Sequence, residues 1–474
     1  MQNSNARQPQ QTTRRELLAR GAHGFGAMAL WHLLNRDAVT GSERATHHSP
    51  RAKNVIFIFM AGGPSHLDLF DPKPQMAKLH GEPVPASLLA SLVDPLIRTS
   101  ARVMASPRTF QRRANCEIEF SDLLPQTGAM ADELCLIRSM TTDQSNHDPA
   151  QLLLSCGTPL FGHPSMGAWI NYGLGSVSQD MPGYVVLMSN SGKGVDAGTA
   201  LWGSGYLPST FRGVTFRNSS DPILYLSNPV GITNATQRAR LDVLRDLNRI
   251  HEASTGDNEI ASRIAAYELA FRMQTAAPEL LDFRQETAAT RAMYGLDQDV
   301  TRSFGGNCLL ARRMVERGVR FVQLFHSTWD DHSNLNANLK TNCDMTDLPT
   351  AGLLRDLKQR GLLDDTLVVW AGEFGRTPMG EVRRGTSPGH EGRDHHPFAF
   401  SVWMAGGGVK RGMIHGRTDD FGYGVVESPV HVHDLQATIL HLLGIDHEKL
   451  TYRHSGRDFR LTDVHGKVVS EILI

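Results

Sequence analysis

Long apolar runs are missing from this chain of 474 residues. No stretch approaches the roughly 20 residues that span a bilayer, so the mature body is expected to have no transmembrane span. Charge of one sign is missing too: 48 Lys and Arg stand against 49 Asp and Glu, a formal net of -1. A balanced surface offers no strong field for nucleic acid or an anionic membrane, and neither is expected as a partner. Cysteine is sparse, and the five (Cys116, Cys135, Cys156, Cys308 and Cys343) show no C-x-x-C spacing. That pattern excludes a disulfide framework or a zinc ribbon as the basis of the fold, though one oxidised pair stays open. Repeats and low-complexity tracts are absent behind the first fifty residues. What is present is enough apolar residue, 40% of the chain, for a core that needs no staple.

The N-terminus reads as an address. A polar tail leads into Thr13-Arg14-Arg15-Glu16-Leu17-Leu18, then a modest apolar stretch from Gly21 to Leu34, then a polar tract to Lys53. An arginine pair ahead of a weakly apolar segment is the layout of a twin-arginine export signal. Residues 1–50 are therefore expected to be signal and linker, and 51–474 a single domain in the periplasm or attached to the cell envelope.

The mature part opens on Asn54–Met60, a continuous apolar run of the kind found in central parallel strands buried on both faces. Further strands are expected at Leu134–Met140, Tyr184–Met188, Val319–Phe325, Thr366–Trp370 and Phe398–Met404. Helical spacing separates them. Leu241, Leu244, Leu247 and Ile250 form one stripe, and Ile260, Ile264, Tyr267 and Phe271 another. Residues 309–317 form a helix stopped by Gly318. A helix capped by Asp434 is closed by Gly444. Alternating strands and helices predict an α/β fold with a doubly wound, mainly parallel sheet and helices on both faces. Residues 79–120 and 189–228 read as insertions, and 229–300 as a helical excursion.

Ligands of open α/β sheets gather beyond the carboxyl ends of the strands, and four polar clusters fall there. The first strand runs into Gly62-Gly63-Pro64-Ser65-His66-Leu67-Asp68, which supplies His66 and Asp68 as candidate metal ligands. Ser145-Asn146-His147-Asp148 opens an apolar helix, whose free N–H groups favour anions and nucleophiles. Trp329-Asp330-Asp331-His332 follows another strand, and Asp330 and His332, two apart, can face one way on extended backbone. Glu373 and Arg376 lie just past Thr366–Trp370, and Asp394 and His395 just before Phe398–Met404. Carboxylate with imidazole is a usual pairing for zinc or manganese, and an arginine can grip an anion with two N–H groups. Each cluster alone reads as a turn or a cap. Four on one sheet edge are better explained by a shared site, because buried carboxylates and imidazoles cost free energy unless paired or metal-bound.

These strings, with Gly372-Glu373-Phe374-Gly375-Arg376-Thr377-Pro378, Gly392-Arg393-Asp394-His395-His396 and His433-Asp434-Leu435-Gln436-Ala437-Thr438-Ile439, resemble the exported "domain of unknown function 1501" proteins. That family is grouped structurally with sulfatases and alkaline phosphatases. The resemblance covers nearly the whole chain and implies an alkaline-phosphatase-like core. Position by position, it implies one metal site from Asp330, His332 and His395. The superfamily's second site is altered, with Ala61-Gly62 after the first strand and Glu373-Phe374 where an Asp-His pair would stand. The position ten residues before Gly157 is His147, not a Cys or Ser, and no Cys-x-Pro-x-Arg motif occurs, so formylglycine chemistry is not expected. His147 is open as a metal ligand or as a nucleophile, and Ser145 and Thr142 are open as nucleophile. The resemblance implies a hydrolase of phosphate or sulfate esters that uses a divalent ion (zinc, manganese or calcium) on a small-molecule or glycan ester. His147 or Glu373 would act as base, with Arg376 steadying the anion. The competing expectation is a non-catalytic exported binding or assembly protein on the same fold.

Overall fold

The computed structural model describes residues 45–474 except 86–87, 89–101, 190–194, 218–222, 224–225, 382–386 and 388. The described residues fall in one compact unit, Ser42–Ile474. The arginine pair and the apolar stretch behind it lie outside the described residues. No helix among the described residues is long and apolar enough to cross a membrane.

Nine strands build the main sheet: β1 (Asn54–Met60), β2 (Leu134–Thr141), β3 (Tyr184–Met188), β4 (Val214–Phe216), β5 (Phe321–His326), β6 (Thr366–Ala371), β7 (Phe400–Ala405), β8 (Met413–His415) and β9 (Val430–His431). Their order is β8-β2-β7-β6-β1-β5-β3-β4, and β9 also pairs with β2. Every pairing is parallel except those of β7, which runs against both β2 and β6. The sheet is therefore mainly parallel, as the buried runs predict.

Period-two alternation divides β1 between two cores. Ile56, Ile58 and Met60 join one and Val55, Phe57 and Phe59 the other. The long helices cover both faces. Helices α1 (His147–Cys156) and α2 (Met166–Leu174) pack on the second face, with α7 (Val432–Leu442). The helical excursion supplies α3 (Asn234–Thr255) and α4 (Asn258–Leu281), and α4 reaches the first face beside α5 (Asp299–Glu316) and α6 (Leu335–Gln359).

Several boundaries differ from the sequence expectation for local reasons. Strand β5 starts at Phe321 rather than Val319, because Val319 N–H still bonds back to Met314 of α5 and Arg320 N–H goes to Gly183. The α7 N-cap is His431 rather than Asp434: the His431 ring accepts from His433 N–H, while the Asp434 carboxylate accepts from His431 N–H at 2.9 Å. That reciprocal pairing is a capping box, with Asp434 in the third helical position. The insertion 189–228 contributes the edge strand β4. Of the stripe expected on α3, only Leu241 is buried, and Leu244, Leu247 and Ile250 are exposed.

Candidate metal centre

Strands β1, β2, β5 and β6 all run the same way, so the loops that follow them share one edge of the sheet. Strand β7 runs the other way, so the segment that precedes it arrives at that same edge. This one reversal brings His395, which enters β7, to residues that leave β2, β5 and β6.

The loop after β5 is held in an unusual shape. Thr328 has φ +85°, a left-handed backbone that a β-branched residue seldom adopts. Asn342 of α6 fixes it from both sides. Thr328 Oγ1 donates to Asn342 Oδ1 at 2.8 Å, and Asn342 Nδ2 donates to the Thr328 carbonyl at 2.8 Å. The next residues then pass against the β1 turn. Gly62 (φ +119°) packs so closely there that a Cβ would lie 2.4 Å from Asp330 N, so only glycine fits.

Four donor atoms converge beyond this turn. Asp330 Oδ1 lies 3.2 Å from His147 Nε2, 2.9 Å from His332 Nε2 and 3.2 Å from His395 Nε2. The Nε2 atoms of His332 and His395 are 2.9 Å apart. Each ring is fixed through its other nitrogen. His147 Nδ1 faces Glu373 Oε1 at 2.7 Å, His332 Nδ1 faces Glu381 Oε2 at 2.5 Å, and His395 Nδ1 faces the Ser145 carbonyl at 2.8 Å. Carboxylates and carbonyls only accept, so these contacts place the protons on Nδ1 and leave the Nε2 lone pairs pointing inward. Three lone pairs and a carboxylate oxygen cannot satisfy one another. His147 Nε2 is buried without a hydrogen-bond partner. Extra protons or a cation must fill the centre. Burial works against charge on His147, yet the carboxylates of Asp330 and Glu373 push its pKa up to about 9. Asp330 shows the converse: burial opposes its charge, but the three imidazoles and Arg376 hold its carboxyl far below the usual range. The four side chains are only half-buried, so solvent reaches them.

Imidazoles that converge through Nε2, with Nδ1 hydrogen-bonded to carboxylate or carbonyl, have the donor chemistry of a transition-metal site. His147, Asp330, His332 and His395 form such a group, and His332, Glu381 and Asp394 form a second grouping that shares one ring.

The other expected site residues are placed differently. Glu373 is fully buried behind His147, where it accepts from Gly62 N at 2.9 Å, Gly63 N at 3.3 Å and Gln151 Nε2 at 3.1 Å. Burial raises its pKa, but the hydrogen bond from His147 and the others hold the carboxyl below its ordinary range. Arg376 is fully buried as well. It donates to the carbonyls of Gly63, Arg393, Gly62 and Trp329 and to Asp330 Oδ1. The anion it grips is the Asp330 carboxylate, not one from outside. The His147 and His395 rings touch each other at 4.3 Å between centroids, and the Phe374 ring packs beside both, 5.1 Å from the first and 4.5 Å from the second. Asp394 stands at the rim, its side chain 34% exposed and 3.9 Å from His332 Nδ1.

His66 and Asp68 do not join the group. Asp68 forms a fully buried ion pair with Arg393 at 2.8 Å and accepts from Ser65 Oγ, and His66 Nε2 meets the Gly422 carbonyl at 2.9 Å. The ion pair ties the segment that carries His395 to the β1 turn. Sequence reasoning did not single out Glu381 or Asn342. Glu381 follows a two-residue strand and carries no motif, and Asn342 sits inside a helix where any polar residue reads as surface.

A mainly parallel α/β sheet with a histidine-carboxylate cluster at its carboxyl edge is the class that fold and site define. Residues 52–473 match the family described as proteins of unknown function (DUF1501), and the chain belongs to that family. No curated protein matches the sequence. Among solved structures, the chain is similar to the lipoteichoic acid synthase LtaP from Listeria monocytogenes, at 9% identity and TM-score 0.34, over 89% of this chain and 78% of that one. It is also similar to the PsFucS1 sulfatase from Pseudoalteromonas sp., at 14% identity and TM-score 0.32, over 89% and 72%. A third is the C-terminal periplasmic domain of EcEptC from Escherichia coli in complex with Zn, at 8% identity and TM-score 0.33, over 85% and 84%.

Proposed function

We propose that the protein is a metal-dependent hydrolase of phosphate or sulfate esters, exported by the twin-arginine route, that uses one divalent ion held by His147, Asp330, His332 and His395. One observation carries this reading: three Nε2 lone pairs and the Asp330 carboxylate face a common point, each ring oriented by a second hydrogen bond. Three nitrogens and one oxygen suit zinc best. Calcium asks for six to eight oxygens, and manganese prefers more oxygen than this set offers.

When bound, such an ion supplies polarisation of an ester oxygen and a lowered pKa for a water. The chain's own residues do the rest. Glu373, Glu381 and the Ser145 carbonyl hold Nδ1 of each ring and so aim Nε2 at the centre. Arg376 holds Asp330 in place. Phe374, packed beside the His147 and His395 rings, offers no donor atom to an ion, which supports a single-metal centre.

A second reading draws on the donor count. Four protein donors can close a tetrahedral sphere, as in structural zinc sites, whereas catalytic sites keep a position open. That would make the protein a non-catalytic binding or assembly protein.

Mass spectrometry of the folded protein, beside an Asp330→Ala/His395→Ala variant, tests the first reading. One ion per wild-type chain, lost in a variant that stays folded, is the expected result. Metal-free wild type that takes up no zinc, manganese or calcium would overturn it. Cobalt substitution separates the two readings: a visible spectrum that shifts on adding phosphate or sulfate shows an open position, and an unmoved spectrum favours the closed site.

A further inference from the structure

A second feature lies on the helical side of the molecule, among residues that the metal centre does not use. A cleft of about 530 Å³ opens beside the start of α5, and Phe283, Leu296, Arg284, Arg291 and Arg302 are among the residues that line it. Its size falls in the range of small-molecule sites. Asp297 is the one carboxylate in the lining, against three guanidinium groups.

Each arginine is anchored along part of its fork. Arg302 Nε donates to the Leu296 carbonyl at 2.9 Å, and its Nη1 meets Asp299 at 2.6 Å. Arg284 is bound through Nε and Nη2 to Asp282. Arg291 gives Nη1 to the Glu286 carbonyl at 2.6 Å and, among the described residues, has no carboxylate partner. Anchoring sets the direction of the remaining N–H groups: Arg284 Nη1, Arg291 Nε and Nη2, and Arg302 Nη2. A guanidinium only donates, so what completes these groups must accept. A fork held on one side also loses little rotamer freedom when it binds.

We infer that this cleft is a binding site for a small oxyanion, a carboxylate, sulfate or phosphate group, carried on an aromatic or short aliphatic body. The guanidinium groups take the charged end, and Phe283 and Leu296 take the apolar end. The site is separate from the metal centre, so the two proposals stand or fall independently.

Calorimetric titration of metal-free protein with 2-naphthalenesulfonate tests this, with inorganic sulfate and 2-naphthol as comparison probes. The naphthalenesulfonate is expected to bind one site per chain, in wild type and in Asp330→Ala/His395→Ala alike. Arg291→Gln/Arg302→Gln is expected to weaken it at least tenfold. Arg284→Gln/Arg302→Gln, at the two exposed arginines of the lining, is expected to do the same should the first variant fold poorly. Equal binding of 2-naphthol would overturn the role of charge, and equal binding of sulfate would overturn the role of the apolar end. No binding, or binding that both arginine variants leave unchanged, would overturn the site.

Discussion

Glu373, a candidate base by its place at the end of β6, has no exposure, and its oxygens already accept four N–H groups. Its effect passes through the His147 ring. Changes to such orienting partners cost about 10–100-fold in metal affinity in known sites. Glu373→Gln is therefore expected to weaken zinc binding by that order while Glu373→Ala also destabilises the fold; competition with a chelator and thermal unfolding read the two effects. His326 makes a different point. It is buried against Ser189, and burial pushes its pKa down to about 4. Neutral in the fold, it takes a proton in the unfolded chain near its ordinary value of 6.5. The unfolded state then binds more protons between those values, so stability is lost as pH falls through that window, by about 3 kcal/mol at most. Urea midpoints at pH 7 and pH 4.5 should differ more for wild type than for His326→Gln. The sequence could not show this, because a histidine at the end of an apolar strand does not announce whether it faces a core or a site.

At the scale of elements, the loop between β5 and α6 owes its shape to a residue fourteen places downstream in the helix, not to its own composition. Thr328 is strained, and Asn342 keeps it so. Asn342→Ala removes both hydrogen bonds that hold Thr328 from the helix and is expected to cost about 2 kcal/mol. Thr328→Gly on top of it should recover part of that loss, because glycine accepts the left-handed backbone; chemical denaturation of both variants checks the order. Helix α3 was legible as a helix from its period but not as to its exposure. Leu241 is 7% exposed and Leu247 57%. Leu241→Ala should cost about 2–3 kcal/mol and Leu247→Glu less than about 0.5. Periodicity reports that a stripe exists. It does not report whether anything packs on it, and here α4 covers only part of the helix. Strand boundaries slipped for a similar reason: Val319 and Arg320 have strand-like side chains, but their N–H groups are engaged elsewhere.

At the scale of the whole molecule, the sheet was legible because buried parallel strands carry continuous apolar runs that nothing else in the chain imitates. Three of the four converging side chains were expected as ligands because they sit in polar clusters at strand ends, while His147, at a helix start, was open as ligand, base or nucleophile. His66 and Asp68 share the same sequence signature and fell outside the group, since an ion pair with Arg393 satisfies a buried carboxylate as well as a metal would. Sequence shows that a carboxylate needs a partner, and only packing shows which one.

The reversal of β7 carries a consequence for biosynthesis. The four converging side chains span positions 147 to 395, and the last of them reaches its fellows only after the strand that follows it has threaded between β2 and β6. A ribosome must therefore have delivered almost the entire chain before the cluster can exist, and long-range pairing of this kind is slow. Ion uptake then marks the completed topology and can serve as a stopwatch for it. In a pulse of synthesis, protection of the chain from protease and its capture of zinc should rise together, both after the residues of β7 have emerged.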